Sequence, residues 1–397
     1  MNGAFSSQII RSMIEAGRIK SQERVSDGQI QPASLDLRVG TKAYRIKGMF
    51  LPQKGERVAD LLKKYAIYEI DMSDSELILE KDAPYLIELS EALDLDLDMW
   101  AITNNKSSTG RINLVTRLVT DFNPRFDKVE KGYSGKLYLQ LLSKSFLIGI
   151  KKGQTLNQMR FFNSDSRLND LQMSLEMDKF HLLYDKNGKP VPRRDIRIDK
   201  GVLLSIDLSS EISGWVTKTT NEVIHLDKIN HYPIHDFWEP IRTPEDGHIV
   251  LTEGNCYIFC TKEKVRIPPE FAAELVSFDS ESGEFRSHDA GFFDPGFGYG
   301  KSGEILGTTA VLEVRPFGSN IVLRHAQPVC RLVYERMIEV PDRIYGVDLD
   351  SSYQGQQGPR LSKHFRMPVL QGQVKTQVHE KPVLKSTLVK NTLVKNK

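Results

Sequence analysis

The stretch "KSSTGR", from Lys106 to Arg111, gathers two cations, two serine hydroxyls and a glycine into six residues. Lys106 and Arg111 offer charge-assisted donors, Ser107 and Ser108 offer hydroxyls, and Gly110 lets the backbone come close to a ligand. That chemistry is the binding of an anion. Taken alone, the stretch reads equally well as an ordinary turn, because Ser, Thr, Gly and Lys also make turns. Nothing beside it in the chain completes a site.

Other suggestive strings carry less. "GFGYGKSGE" (296–304) has Pro295 where a Walker A loop needs its first glycine, and it reads as a Gly-rich turn. Cys256 and Cys260 lie four apart on an expected strand, without a second ligand pair at zinc spacing, and read as buried thiols. The aspartates of "LDLDLDMW" alternate with leucines, the pattern of a strand with one wet face rather than a calcium loop. His231 and His235 have no acidic or cysteine partner in register and are taken as surface or packing residues.

The elements that must position the cradle are mostly strands. Short apolar runs alternate with turn signals, among them "LILE", "YLIEL" and "KLYLQLL", then "IVLT", "YIFC", "AVLEVR", "IVLR" and "RLVYE". This rhythm predicts a small all-β barrel or jelly roll. One helix is expected in "SSQIIRSMIEAGRI", with a Ser N-cap, Ile9, Ile10, Met13 and Ile14 on one face, and Gly17 closing it.

The chain also repeats itself. Leu79 and Tyr85 recur as Leu251 and Tyr257, 172 residues on. "SLDL" (34–37) recurs as "SIDL" (205–208), and Gln154 recurs as Gln327. With "LYLQLLSKSF" from Leu137 matching "AVLEVRPFGS" from Ala310, four blocks in one order at nearly one offset indicate tandem duplication of a unit of roughly 160 residues.

Composition narrows the class. The 397 residues are 40% hydrophobic and 27% charged, with no apolar run of membrane-spanning length, no signal-peptide core and three cysteines. A cytoplasmic protein without a disulfide framework is expected. From His364 onward seven Lys and Arg stand against the single acid Glu380, leaving 47 basic and 51 acidic residues before it. A body of that charge is not built to track nucleic-acid phosphates. The tail, with "TLVK" twice, has no core-building pattern and is expected to be disordered.

Across the whole chain, "IQPASLDLRVG" (30–40), "KSSTGR" (106–111), "DPGF" (294–297), "VLE" (311–313) and "YQGQQG" (353–358) appear in an order that resembles the dCTP deaminase branch of the dUTPase superfamily, in its fused two-unit bacterial form. The resemblance covers about residues 5 to 366. It implies a mainly β fold of two tandem dUTPase-like β-barrel or jelly-roll units with a short N-terminal helix. Residues 1–165 would be the first unit, 166–198 a linker or insert, 199–363 the second unit with a C-terminal lid, and 364–397 the basic tail.

The resemblance further implies hydrolytic deamination of dCTP to dUTP and ammonia, breaking the C–N bond of a cyclic amidine, with a glutamate activating water for attack on C4. Mg²⁺ would come bound to the triphosphate. No zinc is expected, as His-x-Glu with Pro-Cys-x-x-Cys is missing. In the first unit the glutamate position holds Gln140, whose neutral amide cannot act as a base; in the second it holds Glu313. Conversely the second unit has "DSESGEFR" (279–286) where its own cradle should stand. Each unit keeps what the other lost, so a composite site between them is expected. In it Glu313, Ser107 and Arg111 would be catalytic, with the last two orienting the glutamate and C4. Lys106 and Ser108 would grip phosphate, the Ala290 carbonyl would hold base or water, and Asp294 would meet the 3′-hydroxyl. Tyr345 and Gln356 would belong to the closing segment, where Ser352 replaces an expected phosphate-binding lysine.

Two alternatives stay open: a bifunctional enzyme that carries the product on to dUMP, and a non-catalytic deoxynucleotide sensor. No Arg-Gly-x-Gly-Gly-Phe-Gly-Ser loop of a simple dUTPase is present. Expected partners are dCTP, dTTP as a feedback inhibitor and further copies of the chain, since two units cannot close a three-fold ring of barrels alone. Neither nucleic acid nor membrane is expected.

Overall fold

Residues 2–277, 285–286, 291–349 and 351–366 are described by a computed structural model of the chain, and their alternating apolar runs form mainly antiparallel strands. In the first half the spatial order is Leu114–Val119, Ser134–Ser143, Pro84–Asp94, Leu35–Ile46, Thr155–Phe162, Trp100–Asn105, Lys128–Val129. Register shifts at Val39/Ala43 and Glu88/Ala92 mark bulges in the long central strands, which sharpen their twist and curl the sheet. In the second half Tyr257–Val265 pairs with Thr308–Pro316 and Gly214–Thr217, while Pro328–Arg336 pairs with Val202–Ser205 and Phe271–Ser277. Between these layers Leu204, Phe259, Ile267, Leu275, Leu312 and Leu332 are buried. Each such side chain contributes about 1.5–3 kcal/mol when fully removed from water.

The duplication is a structural one. Leu86 stands opposite Gln140 in the first half, and Ile258 stands opposite Glu313 in the second. The two pairs therefore occupy one register position in equivalent strand pairs. The N-terminal helix runs over Ser7–Glu15, with the Ser6 hydroxyl accepting from the Ile9 amide and Ile10 and Met13 buried.

Four sequence expectations need correction. First, of the linker or insert expected at 166–198, the linker does not hold: Asn169 and Gln172 form a capping box that starts the helix Asp170–Phe180. Its Met173 and Met177, one turn apart, lie in the second unit's core with Leu168, Leu182, Leu183 and Ile196. The polar composition hid a sparse apolar face. Second, the tail begins later than His364. His364 and Phe365 are buried, Phe365–Arg366 pairs with Tyr232–Pro233, and Met1–Arg366 forms one compact unit. Residues 367–397 lie outside the described residues. Third, in "LDLDLDMW" the strand stops at Asp94 and the chain turns, leaving Leu97 exposed; Asp94 and Asp96 pair with Lys20 and Arg18 on the surface. Fourth, Val58–Tyr65 is an additional helix, docked on the first unit by Val58, Leu61 and Leu62.

Cys256, Cys260 and Cys330 are buried, in line with the reading of buried thiols. No described helix is long and apolar enough to cross a membrane.

The halves share more than a seam. Val223–His225 of the second half adds in parallel to Leu147–Ile150 of the first, which also pairs with Leu77–Leu79. Ala4, Ala33, Phe162, Ala272 and Met337 form a joint apolar cluster.

Candidate active site

The cradle sits where a strand gives way to one helical turn. After Trp100–Asn105, the Lys106 amide donates to the Leu156 carbonyl (3.0 Å), and the Lys106 carbonyl accepts from the amides of Thr109 (2.9 Å) and Gly110 (3.0 Å). The Lys106 ammonium is paired with the carboxylate of Asp36, on the strand Leu35–Ile46. Asp36 is buried, and its Oδ1 has no hydrogen-bond partner among the described residues. Burial pushes this carboxyl up, with Lys106 opposing.

From the second half come Asp294, which follows the strand Phe292–Phe293, and Glu313 on Thr308–Pro316. Both are buried. Arg160 anchors the Asp294 loop from the first half. Fully enclosed, its guanidinium donates to the carbonyls of Ala33 (3.3 Å), Ala273 (3.1 Å) and Phe293 (3.2 Å) and to the carboxylates of Glu335 (2.7 Å) and Asp294 (3.4 Å). It also lies over the Phe292 ring, 4.2 Å from its centre. Burial pushes the Asp294 carboxyl up, with Arg160 holding it down. Removing one partner from such an enclosed network costs about 3–5 kcal/mol.

The C-terminal segment closes the space. Arg111 Nη1 donates to Gln356 Oε1 (2.9 Å) and to the Arg360 carbonyl (3.0 Å), while its guanidinium lies 3.8 Å from the centre of the Tyr353 ring. Gln356 Nε2 donates in turn to the Thr309 carbonyl (2.7 Å), tying the cradle to the Glu313 strand. Burial lowers the Arg111 pKa, while Tyr353 and Glu313 favour its charge. Its Nε is unpaired among the described residues. Gly296, at φ +100°, lets the Asp294 loop pass under this segment: a Cβ there would lie 2.2 Å from Ile344 Cγ2. Tyr345 packs on Phe297, and burial raises its phenol pKa.

One cavity of about 260 Å³ is lined by Lys106, Ser107, Ser108 and Arg111 from the first half and by Asp294, Glu313, Tyr345 and Gln356 from the second. Residues 245 positions apart in the chain thus meet directly, as Arg111 and Gln356 do. Ala290 lies outside the described residues, as do 279–284 of the second unit's own cradle region. Ser352 lines the cavity too. Sequence reasoning passed over Asp36, Arg160, Tyr353 and Lys363, although Asp36, Tyr353 and Lys363 line the same cavity. Asp36 was legible as an acid inside the quoted "SLDL", and Arg160 as a lone cation in the apolar run "QMRFF". Lys363 had no local signal. A larger cavity of about 870 Å³, bordered by Asn104, Arg117, Asp127 and Glu274, contains none of the expected site residues. Among the described residues, no group of three or more His, Cys, Asp or Glu could hold a metal ion.

The equivalent position in the first half is filled by protein. Gln140 is fully buried, its Oε1 accepting from the Phe50 amide (3.0 Å) and its Nε2 donating to the Phe50 carbonyl (2.7 Å). Phe50 and the helix Val58–Tyr65 pack against Leu86, Val119 and Tyr138 there.

Residues 1–165 match the family model for the 2'-deoxycytidine 5'-triphosphate deaminase N-terminal domain, and 179–365 match that for its C-terminal domain. The chain is 38% identical to a 2'-deoxycytidine 5'-triphosphate deaminase from Agrobacterium tumefaciens of known crystal structure. That likeness has a TM-score of 0.80 and covers 88% of this chain and 99% of the other. Curated relatives match over shorter spans. A "dCTP deaminase, dUMP-forming" of Methanosphaera stadtmanae is 29% identical over 35% of this chain and 68% of its own length. A "dCTP deaminase" of Halorubrum lacusprofundi is 29% identical over 33% of this chain and 61% of its own.

Proposed function

The chain belongs to the dCTP deaminase family, and we propose that it converts dCTP and water to dUTP and ammonia in the composite cavity, with Glu313 as general base. The observation that carries this is the meeting of the buried Glu313 carboxylate with Arg111 and Ser107 of the other half in one cavity.

In this reading Glu313 takes a proton from a water molecule as the water oxygen bonds to C4 of the cytosine. Glu313 delivers that proton to the ring nitrogen N3, where it stays, and then carries the proton of the new 4-hydroxyl to the departing amine. The C4–N4 bond breaks, ammonia leaves, and the 4-carbonyl of uracil remains. Arg111 and Ser107 orient the carboxylate and C4. Burial makes such fixed donors more effective than they would be in water. Asp294 meets the sugar 3′-hydroxyl, and Ala290 supplies a carbonyl to base or water. Lys106 and Ser108 bind phosphate, and Tyr345 and Gln356 close over the nucleotide. Mg²⁺ enters on the triphosphate oxygens as part of the substrate. The same cradle would admit dTTP as a competing inhibitor.

The relative from Methanosphaera stadtmanae, named as dUMP-forming, favours a second reading in which dUTP is hydrolysed further. Product analysis separates the two. With dCTP and Mg²⁺, chromatography is expected to resolve dUTP, and dUMP with pyrophosphate would move the assignment to the second reading. Glu313→Gln is expected to bind dCTP nearly as well and to lose roughly 10²–10⁴ in kcat. Turnover undiminished in that variant would overturn the role of Glu313.

A further inference from the structure

We propose that Lys363 is a phosphate-binding cation of the composite cavity, standing in for the lysine missing at Ser352 and gripping the triphosphate together with Lys106. This rests on the reading of the cavity as a dCTP site.

Lys363 and Ser352 line the same cavity, so a charge absent at one position is returned from the other. Among the described residues the Lys363 ammonium donates no hydrogen bond, and of the charged groups acting on it Lys106 disfavours its charge and Asp36 alone favours it. The Asp36 carboxylate is already paired with Lys106. A second ammonium thus stands on the same cavity wall as a carboxylate already paired with the first, and an anion that meets both cations offsets their repulsion. A nucleoside triphosphate, with several negative charges on adjacent phosphates, supplies it.

The backbone presents this lysine from a fixed place. The Lys363 amide donates to the Tyr353 hydroxyl (3.3 Å), and its carbonyl accepts from the Asn230 amide (2.9 Å). On one side the Ser362 hydroxyl donates to the Ser108 carbonyl of the cradle (2.8 Å). On the other, Phe365–Arg366 pairs with Tyr232–Pro233. An ordered backbone leaves little conformational entropy to lose when the side chain meets phosphate. The contact with Ser108 further links the reach of Lys363 to the seating of the cradle itself.

The test is calorimetric titration of the full-length protein with Mg²⁺–dCTP, dCMP and inorganic tripolyphosphate. Lys363→Met is expected to weaken dCTP roughly ten- to a hundredfold, while changing dCMP by less than about threefold. Lys363→Arg should stay near the wild type, and Lys363→Met with Ser352→Lys should regain most of the loss. Unchanged dCTP affinity in Lys363→Met would overturn the proposal, as would equal losses for dCTP and dCMP. A thermal unfolding curve like that of the wild type shows that the variant is folded; if it is not, Lys363→Gln replaces it. Should the wild type bind tripolyphosphate through Lys363 but not dCTP, the nucleotide reading falls and the anion role stands. Binding of neither removes both.

Discussion

Glu313 and Gln140 hold the same register position in duplicated strand pairs and differ by one terminal group, a carboxylate oxygen against an amide nitrogen. In the proposed reading that difference decides which half of the chain takes a proton from water. It also suits each to its surroundings. The Gln140 amide offers one donor and one acceptor to the Phe50 backbone and uses both, whereas a carboxylate would set an oxygen against the Phe50 carbonyl. Gln140→Glu is therefore expected to create no second active site and to lower stability by about 1–3 kcal/mol, read from urea unfolding. A gain of turnover per chain would show that the first half still holds an open pocket.

The decisive element is the C-terminal segment from Tyr345 to Arg366. It contributes little regular structure, yet it caps Arg111 with Tyr353 and Gln356 and carries Lys363 into the cavity. Its far end is secured by His364, whose Nδ1 lies 3.0 Å from the Lys228 carbonyl. Burial pushes the His364 pKa down to about 4, against 6.5 for an ordinary histidine. Above pH 6.5 folded and unfolded chains both hold this imidazole neutral, so it adds no pH dependence there. As pH falls from 6.5 towards 4 the unfolded chain takes up the proton first, so the folded state loses up to about 3 kcal/mol from this group. Comparing unfolding at pH 7 and pH 5, His364→Gln is expected to show a smaller acid loss than the wild type. An identical loss in both would remove His364 as the cause. Placing Phe365 and His364 in a disordered tail missed this because the basic composition beyond them masks two residues that are buried.

At the scale of the molecule, the proposed site takes its parts from both halves, and one chain supplies them. Covalent linkage holds the cradle and the Glu313 strand at high effective concentration. Arg160, Arg111 and Arg315 then pin them, the last by donating to Asn113 of the first half. If each chain builds its own cavity, mixing Arg111→Lys chains with Glu313→Gln chains, unfolded together and refolded, is expected to restore no activity. Recovery towards a quarter or more of the wild-type rate would mean that cavities form between chains. Among the described residues one cavity gathers Lys106, Ser107, Ser108 and Arg111 with Asp294, Glu313, Tyr345 and Gln356, while the position of Gln140 is filled by Phe50 and packed over by the helix Val58–Tyr65.

Strand positions, the duplication and the distribution of the expected site residues over the two halves were legible in the chain itself. Apolar alternation reports which side of a strand is buried, and one offset reports the repeat. The Gln140 and Glu313 contrast needed only that alignment. The folded chain alone decided which faces meet. A local pattern carries no signal for a partner 245 residues away, so the docking of Gln356 on Arg111 was open until the halves were assembled. Arg160 looked like a misplaced charge in an apolar strand until five acceptors surrounded it. Lys363 was one lysine among many in a basic stretch, and only tertiary packing, by burying its neighbours Ser362 and His364, set it on the cavity wall that Lys106 also lines.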